Sequence, residues 1–318
     1  AATSVRRGRF GRTSRPRATR VGFRAAGSIL GQSPSVSDAI AATVGLVAGA
    51  GRLPFEVARG ARRMGRRVVA VAFRGFAEPA LEAEVDALHW VRLGELGALF
   101  RALHDAQALE AVVAGGVAKE HLFAGSDLIR LDERGAAFIA GLRDRSDDSI
   151  LRALGDALEA EGIRVPSQAL YAPHLLAPVG PLGGVVPTPA QLADVAFAWP
   201  LAKAIGRLDI GQTLVVRERS VLAVEAIDGT DATIRRGGSL GRGQVCVVKV
   251  WKPGQDPRFD FPTIGPDTVA TLSEAGVALL AIEAGRTLVL EREVVVQRAD
   301  ALGIALLGVP ETGPEGGS

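Results

Sequence analysis

The alternation of short apolar segments with amphipathic ones constrains the fold of this chain more than any other feature. "TVGLVAGAG", beginning at Thr43, and "RRVVAVAF" are typical of buried strands, and the segment between them has apolar residues at helical spacing. The alternation continues through a helix around Gly94–His104, a strand at Leu109–Gly116 and a helix around Asp148–Glu161. Strands that alternate with helices favour a parallel sheet covered on both faces. The sequence therefore predicts an α/β protein with a Rossmann-like N-terminal domain, residues 39–163.

Proline and glycine mark the end of that domain. Residues 164–185 are rich in both and are interpreted as a linker. Beyond it, Thr188 and Gln191 flank Pro189 in a capping-box pattern that starts a helix, and strands and helices then follow in mixed order. We expect a C-terminal mixed α/β domain, residues 186–310. It should include a strand pair in "VALLAIEAGRTLVLE", and a disordered tail, residues 311–318, should follow it.

The positive charge of the chain is concentrated at its N-terminus. Eight of the 37 Lys and Arg residues lie in residues 1–24, which carry no acid, so the remaining residues have 29 basic and 35 acidic groups. Residues 1–38 are interpreted as a basic disordered arm. The acidic body and the low aromatic content, 5%, argue against nucleic acid as a partner. The single cysteine, Cys246, excludes an intrachain disulfide.

A glycine turn follows the first predicted strand and opens a helix. Its residues Gly49 and Gly51 could bring backbone N–H groups to an anion at the helix N-terminus, or could serve tight packing alone. Pro54 stands where a dinucleotide fingerprint has its third glycine, which disfavours a nicotinamide cofactor. A G-x-S-x-G match at Gly237–Gly241 lacks the strand-to-helix context and the later histidine of a serine hydrolase.

Carboxylates cluster in "VEAIDGTDATIRR". Glu225, Asp228 and Asp231 lie within seven residues beside an apolar strand, either as helix caps or as ligands of a cation such as Mg²⁺, which prefers oxygen ligands. A later loop mixes Lys249, Lys252 and Arg258 with acids and could hold a diphosphate. The spacing alone indicates phosphoryl-transfer chemistry without deciding it.

Two further acidic positions keep a structural alternative. Asp147 and Asp148 begin a predicted helix, where they could simply cap it and favour its dipole. Asp209 lies between two glycines, after a helix and before a strand.

At these residues the chain resembles a known family, the UDP-2,3-diacylglucosamine pyrophosphatases of lipid A biosynthesis, LpxI type. The resemblance covers residues 43–309. It depends on the order and spacing of "GLVAGAGRLP", "DDSILR", "IGRLDIGQTLVV", "VLAVEAIDGTDATIRR", "KPGQDPRFDFPTIGPDTV" and "LGIALLGV". Gly116 and Phe261 depart from the family pattern.

The resemblance implies hydrolysis of the diphosphate of UDP-2,3-diacylglucosamine to 2,3-diacylglucosamine 1-phosphate (lipid X) and UMP, with water attack assisted by a divalent cation, typically Mg²⁺. The "GTD" aspartate of the family corresponds to Asp231, the expected catalytic residue and a metal ligand, so the resemblance implies that the C-terminal domain, residues 186–310, is the catalytic one. Glu225 and Asp228 are the other expected metal ligands. The expected substrate-binding residues are Gly49, Gly51, Asp147, Asp148, Asp209, Thr230, Lys249 and Thr263, and Asp260 is a weaker candidate.

The resemblance also implies a homodimer and an acylated sugar-nucleotide substrate held between two domains. We expect a cytoplasmic protein with transient, peripheral contact at the inner-membrane surface, to which the arginine arm could contribute. The alternative hypothesis is a non-catalytic protein that binds an acylated sugar nucleotide.

Overall fold

The computed structural model describes residues 42–117, 128–144 and 147–314, except for the side chains of residues 147 and 148. These residues belong to one compact unit of the chain. The arginine arm, residues 1–38, and the last four residues of the predicted tail lie outside the described residues.

The first layer is a parallel sheet of four strands in the order β3-β2-β1-β4. Its strands are β1 (Thr43–Ala48), β2 (Arg67–Phe73), β3 (Ala87–Val91) and β4 (Glu110–Ala114). The helices around it are α1 (Leu53–Arg63), α2 (Leu96–Asp105), α3 (Glu133–Gly141) and α4 (Asp147–Ala160). The predicted Rossmann-like α/β arrangement is confirmed.

Continuous apolar runs explain the central strands. Every residue of β4 and all but the first of β1 are buried, as expected for strands covered on both faces by helices. Helix α1 begins at Leu53 with Pro54 in its first turn, where the missing N–H of proline costs no helical hydrogen bond. One side of the sheet packs on α1, and the other packs on α2 and α4.

The second layer is a mixed sheet of six strands in the order β5-β12-β10-β8-β6-β7. Its strands are β5 (Gly180–Pro181), β6 (Thr213–Arg217), β7 (Ser220–Val224), β8 (Val245–Lys249), β10 (Val277–Glu283) and β12 (Ala305–Val309). Strands β8, β10 and β12 are parallel to one another, and β6 runs antiparallel to both β7 and β8. The mixed α/β architecture expected here is confirmed.

Four helices belong to this part of the described chain, and a two-stranded parallel pair lies outside the large sheet. The helices are α6 (Pro189–Arg207), α7 (Gly229–Gly241), α8 (Pro266–Glu274) and α9 (Arg292–Ala301). The small pair is β9 (Thr263–Ile264) with β11 (Leu288–Val289). The prediction that residues 277–291 form a strand pair was therefore wrong: β10 and β11 both exist, but β10 pairs within the large sheet and β11 with β9. Periodicity identified both strands but carried no information on their partners.

The Pro/Gly-rich segment that follows α4 is structured. It contains the short helix α5 (Gln168–Tyr171), a 3-10 turn at Pro173–Leu175 and β5. Tyr171 and Leu175 pack in the core beneath the first sheet together with Leu288 of β11. The domain boundaries at 163/164 and 185/186 remain a prediction, because these contacts do not define them.

Among the described residues, no helix has the length and apolar content needed to cross a bilayer.

Candidate active site

The acidic turn expected from the sequence lies between the end of β7 and the start of α7. Glu225 is buried there, although carboxylates are rarely buried without partners. One carboxylate oxygen accepts a hydrogen bond from the Thr230 hydroxyl at 2.7 Å, and the other accepts one from the Gln212 backbone N–H at 3.2 Å. Glu225 thereby joins the turn before α7 to the turn before β6.

Asp228 and Asp231 stand on the same turn but differ in their contacts. The Asp228 carboxylate accepts from the Ala226 N–H at 3.1 Å and pairs with Arg236 at 3.1 Å. The backbone hydrogen bond from Ala226 and then the Arg236 guanidinium lower the pKa of Asp228. Asp231 lies exposed in the first turn of α7, and no group in the described ranges donates a hydrogen bond to its carboxylate. Of these two carboxylates, Asp231 is the one open to an external ligand.

Lys249, the last residue of β8, is a buried cation beside this turn. Its ammonium donates to the Thr263 carbonyl at 3.3 Å. Burial lowers its pKa, while the carboxylates of Glu225, Asp231 and Asp260 act in the opposite direction. Lys249 is therefore a buried amine that is coupled electrostatically to three carboxylates, and its N–H donors can be directed at an anion entering the same space.

A loop after β8 carries the remaining charged candidates. Asp260 accepts from the Gln255 amide at 2.7 Å, and the Thr263 hydroxyl donates to the Phe261 carbonyl at 2.9 Å. Lys252 pairs with Asp209 at 2.9 Å, in a contact where the Asp209 side chain remains 80% exposed. Thr263 therefore offers Lys249 its carbonyl oxygen, while its hydroxyl is used within the loop.

Three side chains outside this loop, those of Gln168, Glu159 and Arg152, anchor it to the first layer. The buried Gln168 amide donates to the Val113 carbonyl of β4 at 2.7 Å and to the Phe259 carbonyl at 3.0 Å. Arg258 pairs with Glu159 of α4 at 2.9 Å, and the Arg152 guanidinium donates to the Gly254 carbonyl. The position of Asp260 is consequently coupled to the first sheet.

A buried ion pair fixes the start of the same loop. Glu283, at the end of β10, accepts from the Lys203 ammonium with both oxygens at 2.8 Å and from the Trp251 N–H at 2.8 Å. The Trp251 ring meets Phe261 edge-on with ring centroids 4.9 Å apart. Phe261, which departs from the family pattern, thus packs against Trp251 at the start of the loop.

The glycine turn after β1 is held by its backbone. Gly49 donates to the Ala114 carbonyl at 2.9 Å, and Ala50 and Gly116 exchange hydrogen bonds of 2.7 and 3.1 Å. A Cβ at Gly49 would lie 2.5 Å from the Gly116 carbonyl oxygen, so packing by itself requires glycine there. Gly51 has a φ of +90° and faces open space, which leaves its surroundings accessible to a ligand.

The remaining candidates lie at helix or strand boundaries. Asp147 begins α4, but the side chains of Asp147 and Asp148 are outside the described part of the structure. Asp209 adopts a left-handed conformation with a φ of +54° in the turn after α6. Thr230 serves Glu225 instead of capping α7, whose N-cap is Asp228.

The expected metal ligands are divided by their contacts. Within residues 42–117, 128–144 and 147–314, no three His, Cys, Asp or Glu side chains are grouped to hold a metal ion. Glu225 and Asp228 accept protein hydrogen bonds, whereas Asp231 does not. Because Mg²⁺ usually binds one or two protein carboxylates and completes its shell with water and phosphate oxygens, Asp231 fits such an ion as a protein ligand.

Several residues of this site were not anticipated. Gln212 Oε1 and Thr213 Oγ1 are buried without a hydrogen-bond partner in the described chain, and Thr213 is the register partner of Lys249. Gln212 lies in "IGRLDIGQTLVV", one of the motifs that carry the family resemblance, so the sequence could have indicated it. The sequence indicated Gln168, Lys203 and Glu283 less clearly, because their importance depends on contacts with residues more than 50 positions away.

Together the fold and the site define an α/β protein of two sheets, with carboxylates around a buried lysine at one edge of the second sheet. This is a site suited to an anionic substrate such as a phosphate ester. Two family models match the chain: the LpxI N-terminal domain over residues 43–175 and the LpxI C-terminal domain over residues 178–307.

A curated relative covers nearly the same region. The UDP-2,3-diacylglucosamine pyrophosphatase LpxI of Caulobacter vibrioides is 39% identical over 277 residues, which is 84% of this chain and 97% of the relative. The chain belongs to the LpxI family, and the resemblance noted from its motifs is confirmed.

Proposed function

We propose that this chain hydrolyses the diphosphate of UDP-2,3-diacylglucosamine to 2,3-diacylglucosamine 1-phosphate and UMP, in lipid A biosynthesis. The proposal depends on one observation: a relative named for this activity aligns with the chain over 97% of its own length at 39% identity. Both family domains are matched, so the proposal concerns the whole enzyme.

Lys249 is the proposed electrostatic partner of the diphosphate. Its ammonium has one hydrogen bond to a described residue, at 3.3 Å, and can donate two more. Charge that develops on a phosphoryl group is stabilised most by a donor that is already fixed and shielded from water. The burial of Lys249 provides both conditions.

Asp231 is the proposed catalytic residue. Its exposed carboxylate can accept a proton or a hydrogen bond from the attacking water, because no described group occupies it. Glu225 supports it indirectly, because its carboxylate accepts hydrogen bonds from both the hydroxyl of Thr230, one residue before Asp231, and the Gln212 N–H. Gly49 and Gly51 with Asp147, Asp148, Asp209, Thr230 and Thr263 remain proposed substrate contacts.

Mg²⁺ or another divalent cation is the proposed cofactor, with Asp231 as its first protein ligand. A bound cation would neutralise charge on the phosphoryl oxygens. Glu225 and Asp228, the other proposed ligands, already accept hydrogen bonds from Thr230 and Arg236, and each carboxylate oxygen keeps a second lone pair for a cation.

We further propose a cytoplasmic homodimer that contacts the inner membrane transiently. The acyl chains of the proposed substrate support the membrane contact, since such a lipid resides in a bilayer. The dimer follows from the family resemblance.

Incubation of the purified protein with UDP-2,3-diacylglucosamine and Mg²⁺, followed by chromatography of the nucleotide, tests the proposal. Release of UMP in proportion to 2,3-diacylglucosamine 1-phosphate is expected. An unchanged substrate pool with folded protein and several divalent metals would contradict it, and tight binding under those conditions would favour the non-catalytic alternative.

A further inference from the structure

Three large aliphatic side chains protrude from two turns of the second layer. Ile227 is fully exposed, Leu208 is 71% exposed and Ile210 is 49% exposed. Isolated exposed apolar residues are ordinary, but several on neighbouring turns indicate a surface that is covered in use. These three residues are called the aliphatic rim below.

The aliphatic rim borders the candidate active site. Leu208 and Ile210 belong to the turn that ends at Gly211, where an added Cβ would collide with the Glu225 carbonyl. Ile227 lies two residues after Glu225, on the turn that leads to Asp231. The two turns therefore meet at Glu225, and the rim lies beside the proposed catalytic residue.

Charged side chains around the rim are mostly neutralised by one another. Asp209 pairs with Lys252, and Asp228 pairs with Arg236. Arg207 is exposed next to Leu208 and has no acidic partner within the described ranges. Asp231, the other charge near the rim without a described partner, is the proposed ligand of a divalent cation that would neutralise it. Aliphatic tips beside an exposed guanidinium are suited to the headgroup and acyl boundary of an anionic bilayer.

We propose that the aliphatic rim is a membrane-docking surface that enters the interface of an anionic bilayer. This inference rests on the proposed function, because a diacylated substrate would then pass from the bilayer to Asp231 without crossing water. The rim has no role in the hydrolytic step itself.

Vesicles of phosphatidylethanolamine and phosphatidylglycerol provide the test, with the full chain and its Ile227→Ser and Leu208→Ser variants. Leu240→Ser is the matched control, since Leu240 is 62% exposed but lies near the other end of α7. The vesicle partition coefficient should fall about tenfold in each rim variant, because each variant removes the transfer free energy of one inserted aliphatic side chain. The control should bind like the unmodified chain.

Kinetics separate docking from catalysis. The rim variants should need several-fold more vesicle-embedded substrate for half-maximal rate, and they should turn over a short-chain soluble analogue like the unmodified chain. Equal loss on both substrates would overturn the proposal. Unchanged vesicle binding, binding that disappears only when residues 1–38 are removed, or dissociation of a dimer in the rim variants would also overturn it.

The proposed function can fail separately. Absence of hydrolysis of either substrate by the unmodified chain would contradict the function, whereas vesicle partition measures docking without any turnover.

Discussion

Two turns of this molecule connect a strand to a helix and differ in what holds them. The turn from β1 to α1 is fixed by backbone hydrogen bonds between Ala50 and Gly116 and lacks a buried charge. The turn from β7 to α7 is fixed by a buried side chain, Glu225, and faces the buried ammonium of Lys249.

The difference shows how similar local shapes take different roles. A backbone-held turn can approach a ligand closely but supplies only N–H dipoles. A turn held by a buried carboxylate next to a lysine supplies full charges in a poorly solvated place, where their effect on a reacting phosphoryl group is larger. The second turn is therefore the proposed place of the chemistry, and binding or packing is the proposed role of the first.

The largest expected effect is on the second turn. Asp231→Asn should lower turnover by about a thousandfold or more while substrate binding is retained, because the interaction lost acts mainly in the transition state. Single-turnover release of UMP and equilibrium binding of the substrate measure the two quantities. Glu274→Gln is the control, since Glu274 makes an exposed ion pair with Arg235 near the other end of α7. Near-normal turnover in Asp231→Asn would show that Asp231 is not the catalytic residue.

Lys249→Met should have the next largest effect. Loss of the buried cation should reduce kcat/KM by about a hundredfold, the scale expected for one fixed donor to a developing charge. Because the pKa of Lys249 is lowered by burial, we expect kcat/KM to fall as the pH rises through a value below the ordinary 10.5 of lysine.

Lys249→Arg controls for the titration. Its guanidinium keeps its charge, so any activity it retains should lose that alkaline decline. An identical alkaline decline in Lys249→Arg would show that another group titrates.

The first turn is tested by two glycine substitutions. Gly49→Ala should cost about 3 kcal/mol of unfolding free energy because its Cβ meets the Gly116 backbone, and Gly51→Ala about 1 kcal/mol because of its φ of +90°. Urea denaturation gives both values. If Gly51 faces the substrate, Gly51→Ala should also raise KM. An unchanged KM would support packing as the only role of this turn.

The smallest effect concerns Asp228 and its pH dependence. Its pKa is lowered from 3.8, so its charge contributes stability above that value, and the contribution is lost as the pH falls through the lowered pKa. The melting temperature of Asp228→Asn should therefore lie below that of the unmodified chain at pH 6, and the difference should vanish in strong acid. A constant difference across that range would show that the carboxylate charge does not matter.

Local pattern was sufficient for most elements because it reports directly on burial and backbone preference. The apolar runs of β1, β2 and β4 and the capping box of α6, formed by Thr188 and Gln191, are as expected. Pattern could not choose partners for β10 and β11. Apolar alternation states which face is buried, whereas partners depend on the connections between strands.

The candidate site divides in the same way. The turn that holds Glu225, Asp228 and Asp231 was identified from its composition, but the different contacts of the three carboxylates were not. Arg236 engages Asp228 and Thr230 engages Glu225, and these contacts follow from the path of α7 and the close approach of the turn at Gly211.

The sequence by itself determined the α/β class, the position of the acidic turn and the LpxI family, since each is a property of residue order and spacing. Only the tertiary structure decided that Lys249 is buried among Glu225, Asp231 and Asp260, and that Gln168 anchors the loop carrying Asp260 to the first sheet. The physical reason is that the pKa of a charge and the cost of its burial depend on neighbours brought together from distant parts of the chain.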